Sequence, residues 1–321
     1  MPIPTVPNIQ TTTLLTEETL AEQFLAGIAR RSLDEKFFYW FPLSVRAWLE
    51  LCSDGDYRNF VRSRSLIESS AKELAAKIPP NQIDVFSIGC GQGDKDGILL
   101  QALRESVQTV NYLPTDASQS LLEIACAGAL KAGFAVRGFK ADFTDPAHLQ
   151  AIAHEGDSSE RLFMMIGNTM GAADPLSTAK DLRRMLRPGD LLLVDGEIYS
   201  PGTIAGYDNP INRRFAWAPL YSVGIRDDQG EVAFRDEIDD RLPGLHLVSK
   251  HFSAAQPVVA LTGGKSMKIE AGQRLEMNHS YKYSLEAFDA VLDQAGLEPK
   301  WSAQSEDGKF VMTLAEARNP N

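Results

Sequence analysis

The sequence predicts an α/β fold built on a mostly parallel central sheet, and three observations carry that prediction. Over 81–197, apolar runs of strand length alternate with helical patterns across short connections. At the head of this stretch, 84–103 reads as strand, glycine turn and helix. Val85, Phe86 and Ile88 come first, then Gly89-Cys90-Gly91-Gln92-Gly93, then Ile98, Leu99, Leu100 and Leu103 at helical spacing. Near the end of the chain, two strand-like runs flank Ser305-Glu306-Asp307-Gly308, a turn that folds the last strand back antiparallel.

The elements follow in order. The first fifteen residues are rich in proline and threonine and read as extended. Thr16 caps a helix in which Glu17 and Glu18 complement the dipole and Leu20, Phe24, Leu25 and Ile28 form one face. The consecutive Phe37, Phe38, Tyr39, Trp40 and Phe41 are too dense for one helix face; they form a packing plug against the sheet or the wall of a pocket. A helix over 66–77 is stopped by Pro79-Pro80. Residues 1–80 thus read as a helical cap. Strands are expected at 84–88, at 109–114 leading to Asp116, at 135–141 leading to Asp142, at 161–167 and at 191–194. Ser118 caps the helix carrying Leu121, Leu122, Ile124 and Ala125, and Ser177 opens the next one. Residues 198–280 break the alternation with strand-like stretches at 246–252 and 267–278, the second containing the turn Ala271-Gly272. Ser284 then caps a helix with Leu285, Phe288, Val291 and Leu292 that stops at Gly296, and strands follow near 300–304 and 310–314.

Composition narrows the function. The 321 residues are 44% hydrophobic and 23% charged, enough for one large domain or two ordinary ones. A net charge of −11 argues against a nucleic-acid partner. The opening MPIPTVPNIQTTT has no signal-peptide pattern and no apolar run approaches 18 residues, so a cytoplasmic protein without a membrane span is expected. Cys52, Cys90 and Cys126 are odd in number and far apart, and the five histidines show no metal-ligand spacing. No metal is expected.

The glycine turn points to the cofactor. A dinucleotide fingerprint would place its third glycine at 94, where Asp94 stands. The G-x-G-x-G present instead suggests S-adenosylmethionine (SAM), and an acid just past the turn suits a cationic ligand better than a pyrophosphate. A final antiparallel hairpin on a parallel sheet marks the class I methyltransferase topology: a Rossmann-like, mostly parallel seven-stranded sheet with an antiparallel last strand. Ligands in such sheets bind beyond the carboxyl ends of the strands. Gly89, Gly91 and Gly93 would cradle SAM there. Asp116, 23 residues after Gly93 and followed by Ala117, would accept both ribose hydroxyls. Asp142 and Phe143 would hold the adenine, and Lys95 the methionine carboxylate. Gly167 and Asn168 end the fourth strand, facing the transferred methyl. Each also has a plainer reading as a helix-start acid, a solvated lysine or an ordinary turn. Methyl transfer is a direct displacement that needs alignment and exclusion of water, so no catalytic triad is expected.

Several stretches, in order, carry a family resemblance: FSIGCGQGDK, YLPTDASQSLL, ADFT, MIGNTMGAADP, LRRMLRPGDLLLVD, AGYDNPINRRF, HLVSKHF and AGQRLEMNHSYKYSLEAF. Together they resemble the histidine-specific SAM-dependent N-methyltransferases, the group that includes the ergothioneine-pathway histidine methyltransferase. The resemblance implies a SAM-binding domain of 81–197 and 281–321. It also implies a second, substrate-binding α+β domain from 1–80 and 198–280, closing over an amino acid. It makes Tyr39, Tyr57, Tyr207, Asn168, Thr169 and Ser280 substrate contacts. Two positions depart from the family pattern. Ala172 stands where the strand-four motif has an asparagine that holds the amino acid, and Asn278 stands where a glutamate contacts the histidine ring. The expectation is therefore N-methylation of a small amino-acid-like amine other than histidine. The alternatives are a non-catalytic SAM-binding scaffold, or an O-methyltransferase of a small natural product with His279 as its base.

Overall fold

The computed structural model describes residues 9–55 and 57–318. The chain opens with β1 (Thr11–Thr13), α1 (Glu17–Arg30), α2 (Phe37–Trp40), α3 (Pro42–Ser53) and α4 (Arg58–Ala75). The Thr16 hydroxyl accepts from the Thr19 N–H at 3.1 Å and caps α1, whose Leu20, Phe24, Leu25 and Ile28 are buried. The aromatic run divides its labour. Phe37 and Phe41 meet Phe24 edge-on at 5.2 and 5.3 Å in the core, while Tyr39 turns to the cleft described below. Helix α4 starts eight residues before the expected 66. Its buried stripe begins with the polar Asn59 and Ser63, so hydropathy conceals its first two turns.

The alternating region supplies β2 (Gln82–Ile88), α5 (Asp94–Ser106), β3 (Thr109–Asp116), α6 (Gln119–Lys131), β4 (Ala135–Val136), β5 (Gly138–Lys140), α7 (Pro146–Ala153), β6 (Glu160–Met165), α8 (Pro175–Met185) and β7 (Leu191–Glu197). Next come α9 (Thr203–Tyr207), α10 (Pro210–Ser222), β8 (Gly230–Ile238), β9 (Leu245–Ala254), β10 (Val258–Thr262), β11 (Lys265–Ile269) and β12 (Arg274–Tyr283). The chain closes with α11 (Leu285–Gln294), β13 (Leu297–Gln304) and β14 (Phe310–Ala317).

The main sheet runs β1-β5-β3-β2-β6-β7-β14-β13, with β4 beside β3. Every pairing from β1 to β7 is parallel, and β14 is antiparallel to both β7 and β13. This is the expected class I arrangement. The third principal strand is split at Arg137, and β1 adds an edge, so the sheet counts nine strands. Alternate residues of β2 feed two cores. Phe86 and Ile88 pack with Phe163, Leu192 and Phe288 on one face; Val85 packs with Leu100, Leu162 and Ile67 on the other.

Three local expectations are corrected. Helix α8 opens at Pro175 rather than at Ser177. Asp174 accepts from the Ser177 N–H at 2.9 Å, and proline at the first helical position completes that start. The strand expected at 135–141 is two short pieces. The stretch 267–278 is two strands in different sheets: β11 pairs with β10, and β12 joins β9 and β8 in a three-stranded sheet. The Ala271-Gly272 turn separates them, because Gly272 at φ +76 redirects the chain. A bulge at Met277 then sets Asn278 directly opposite Lys250. Among the described residues, no helix is long and apolar enough to cross a membrane, and no group of three His, Cys, Asp or Glu could hold a metal ion.

Candidate active site

A cleft of about 1300 Å³, counting its open mouth, lies beyond the carboxyl ends of β2, β3 and β6. Helices α2 to α4, α9 and α10 and strands β9 and β12 wall it on the other side. Every residue that the sequence marked for cofactor or substrate lines it.

The turn from β2 into α5 forms the floor. Gly89, Gly91 and Gly93 hold φ of +70°, +54° and +77°, a region that other residues enter at a cost. At Gly89 space is limiting as well, since a Cβ would lie 2.6 Å from the Thr169 methyl carbon. Asp116 ends β3 beside Ala117. Its Oδ2 accepts from the Gly91 N–H at 2.9 Å and its Oδ1 from the Ser118 N–H at 2.8 Å. Burial pushes this carboxyl up to about 6, against the pull of those backbone bonds. Asp142 and Phe143 follow β5. The Asp142 Oδ1 accepts from Thr144 N–H at 2.9 Å and Thr144 Oγ1–H at 2.6 Å, while its Oδ2 is paired with Lys36. Burial works against its charge, but the Lys36 ammonium and the Thr144 bonds outweigh it and hold the carboxyl below its usual value. Lys95 has no hydrogen bond or ion pair among the described residues. Its ammonium lies 5.6 Å from the centre of the Phe60 ring, and a Cβ on Gly167 would collide with it.

The end of β6 is held from below. The Gly167 and Asn168 N–H groups both donate to Asp195 Oδ1 at 2.7 Å, and Ser63 Oγ–H donates to Asp195 Oδ2 at 2.7 Å. Asn168 sits at φ +59°. Its Oδ1 accepts from the Glu197 N–H at 3.0 Å, and its Nδ2 donates to Tyr281 O and Ser280 Oγ, both at 3.2 Å. Its amide therefore ties β6 to β7 and β12. Thr169 donates to Ile166 O at 2.9 Å, and Ala172 contributes only a methyl to the wall.

Across the cleft, Tyr39 donates to Glu35 Oε1 at 2.8 Å, and Asn278 Nδ2 donates to Glu35 Oε2. Tyr207 donates to Glu197 Oε2 at 2.9 Å and accepts from Asn59 at 2.7 Å. Lys282 reaches both Glu197 and Ser280 at 2.7 Å. The Tyr57 hydroxyl has no hydrogen bond among the described residues, and its ring meets Trp48 at 6.1 Å. Burial, with neighbouring acids adding to it, lifts Tyr39 and Tyr207 far above the ordinary phenol range; burial lifts Tyr57 likewise. All three stay neutral. His279 does not line the cleft, and its neighbours are Glu276 at 3.4 Å and the Tyr281 ring. Strand alternation turns it away from Asn278 and Ser280.

Sequence reasoning missed Glu35, Lys36, Asn59, Asp195, Glu197 and Lys250. A signal existed for two of them: Asp195 and Glu197 are acids inside the apolar run LLLVDGE, and a buried acid demands a partner.

Comparison with known proteins now bears on this geometry. The family described as "Histidine-specific methyltransferase, SAM-dependent" matches residues 20–204 and 242–317. A histidine N-alpha-methyltransferase of Mycobacterium tuberculosis is 30% identical over 305 residues, covering 89% of this chain and 90% of that one. A histidine N-alpha-methyltransferase of Mycolicibacterium smegmatis is 26% identical over 188 residues, 56% of each chain. The N-methyltransferase dtpB of Aspergillus flavus is 28% identical over 120 residues, 37% of this chain and a third (33%) of that one. The chain belongs to the histidine-specific SAM-dependent methyltransferase family, with SAM as its methyl donor and a class I α/β sheet as its scaffold.

Proposed function

We propose that this protein transfers the methyl group of SAM to the amine nitrogen of a small amino-acid-like metabolite other than histidine. One observation carries the exclusion of histidine: Asn278 faces the cleft with an amide already bound to Glu35, and Ala172, which also lines the cleft, offers no polar side-chain group. A site built for one hydrogen-bonding ligand rejects another that leaves its groups unpaired.

The residues present fit SAM. A glycine turn with three positive φ angles leaves room for a close backbone approach, and Lys95 is an ammonium at the cleft wall that forms no salt bridge among the described residues, although its charge acts on the buried Asp96 and Asp195. Gly89, Gly91 and Gly93 would cradle the cofactor, Asp116 beside Ala117 would take the ribose hydroxyls, and Asp142 with Phe143 the adenine. Lys95 would take the methionine carboxylate, near Gly167. SAM supplies a methyl group on a positively charged sulfur. Tyr39, Trp48, Tyr57 and Phe215 supply walls that exclude competing water, and Asn168 fixes the end of β6 against Ser280. The amine needs only to be neutral to attack. Residues 1–80 and 198–280 would form the substrate-side unit over the SAM-binding sheet. His279 lies off the cleft, so an O-methyl reading lacks its base, and a non-catalytic scaffold would not need the intact cofactor residues.

The test is steady-state methyl transfer from SAM to histidine and to other α-amino acids of similar size. Histidine should show a kcat/KM at least tenfold below the best acceptor. Histidine as the preferred acceptor would overturn the exclusion and show that Glu35 restores the missing acid.

A further inference from the structure

We propose that Glu35, Asn278 and Lys250 form a subsite that reads the far end of the substrate and selects an uncharged group able both to donate and to accept hydrogen bonds, a side-chain carboxamide being its simplest form. The proposal rests on the preceding reading, that the substrate is a small amine.

Asn278 is 2% exposed. Its Nδ2 donates to Glu35, and because a carboxylate can only accept, that bond settles which way the amide points. Its Oδ1 then has no partner and is buried. Lys250 is the direct cross-strand neighbour of Asn278 and is 5% exposed. Its ammonium has no hydrogen bond or ion pair among the described residues. It lies 5.5 Å from the centre of the Phe38 ring and 5.4 Å from that of Phe215. Burial pulls Lys250 down to about 8; Glu35 opposes that shift and Lys282 adds to it. An acceptor without a donor and a donor without an acceptor thus stand side by side at the cleft wall. A carboxamide satisfies both, with its C=O towards Lys250 and its NH₂ towards Asn278 and Glu35.

Charge does not single out an ionic group. A carboxylate would be drawn to Lys250 but repelled by Glu35, and an ammonium the reverse, so each ion sets one attraction against one repulsion while a neutral carboxamide meets no such repulsion. Position fits as well. Asn278 lies two residues along β12 from Ser280, which meets Asn168 at the end of β6. Two strand residues span about 7 Å. That is of the order of the reach from an α-amine to a carboxamide at the end of a short side chain.

The test measures binding of glutamine, glutamate, leucine and alanine to the protein saturated with S-adenosylhomocysteine, and separately methyl transfer to each from SAM. Glutamine should bind at least tenfold more tightly than the other three. Lys250→Met should erase the preference over leucine, and Glu35→Gln should raise glutamate relative to glutamine. Retained S-adenosylhomocysteine affinity certifies each variant as folded. Equal or tighter binding of glutamate, leucine or alanine, or a ranking indifferent to both substitutions, overturns the subsite. Preferred binding of glutamine without methylation of any amine leaves the subsite standing and overturns the proposed function. Methylation of an amine with no such ranking does the reverse, and no binding of any amino acid overturns both.

Discussion

Acidifying the solution from pH 7 to pH 5 should weaken SAM binding roughly tenfold, because Asp116 titrates in that window. Its carboxyl is buried at the end of β3 and pushed up to about 6. The two ribose hydroxyls are donors, and only the ionised carboxylate accepts from both. With that midpoint the competent fraction falls from about nine-tenths at pH 7 to about one-tenth at pH 5, and apparent affinity falls in proportion. Asp142 does not blur the result, since Lys36 holds it below its usual value and it remains ionised throughout. The sign for stability is opposite. The folded site keeps its proton to higher pH than the unfolded chain does, so the free protein loses stability as pH rises from about 4 towards 6. Binding of SAM works against that loss. Calorimetric titration at pH 5, 6 and 7 and constant ionic strength reads the effect directly, and Asp116→Asn should flatten the curve at weak affinity. Affinity independent of pH in the native protein, or native affinity in Asp116→Asn, would remove Asp116 from the ribose site.

Three further outcomes follow from the geometry. Lys95→Met should weaken SAM about 10- to 100-fold, the worth of a charge-assisted hydrogen bond, while the melting temperature holds; an unchanged Kd would place the methionine carboxylate elsewhere. Gly89→Ala should cost roughly 1–3 kcal/mol of strain at φ +70° and push the Thr169 methyl into the cleft, lowering both stability and SAM affinity; wild-type values for both would refute the close approach. Arg161→Ala should cost about 3–5 kcal/mol in denaturant unfolding, because it strands a buried Asp190. Arg161 also donates to Ala153 O at 2.6 Å and Met185 O at 3.1 Å, and it sits at the start of β6, away from the cleft. SAM affinity in that variant should therefore match the native value, and a loss of affinity without a loss of stability would contradict this division of roles.

The sheet was legible because its strands are long apolar runs punctuated by glycines and acids. Gly89, Asp116, Asp142 and Gly167 stand where those runs stop, and the parallel topology brings all four to one edge. What the sequence concealed depends on contacts between distant segments. Lys36 reads as one charge beside an aromatic run, yet it crosses to Asp142, and Glu35 crosses to Asn278. Lys250 reads as the polar member of a strand, but its neighbours Phe38 and Phe215 come from elsewhere and bury it. Strand β8 escaped notice for a different reason: much of it is exposed, so its alternation is weak. The start of α8 went to Asp174 over Ser177 because the acid precedes a proline suited to the first helical turn.

The most direct measurement is transfer from SAM carrying a trideuterated methyl group to a panel of small amino acids and amines, with tandem mass spectrometry to place the label. A deuterated methyl on an amine nitrogen of at least one acceptor other than histidine is the expected result. Label found only on oxygen, or no transfer to any acceptor by a protein that still binds SAM, would contradict the assignment of this cleft to N-methylation.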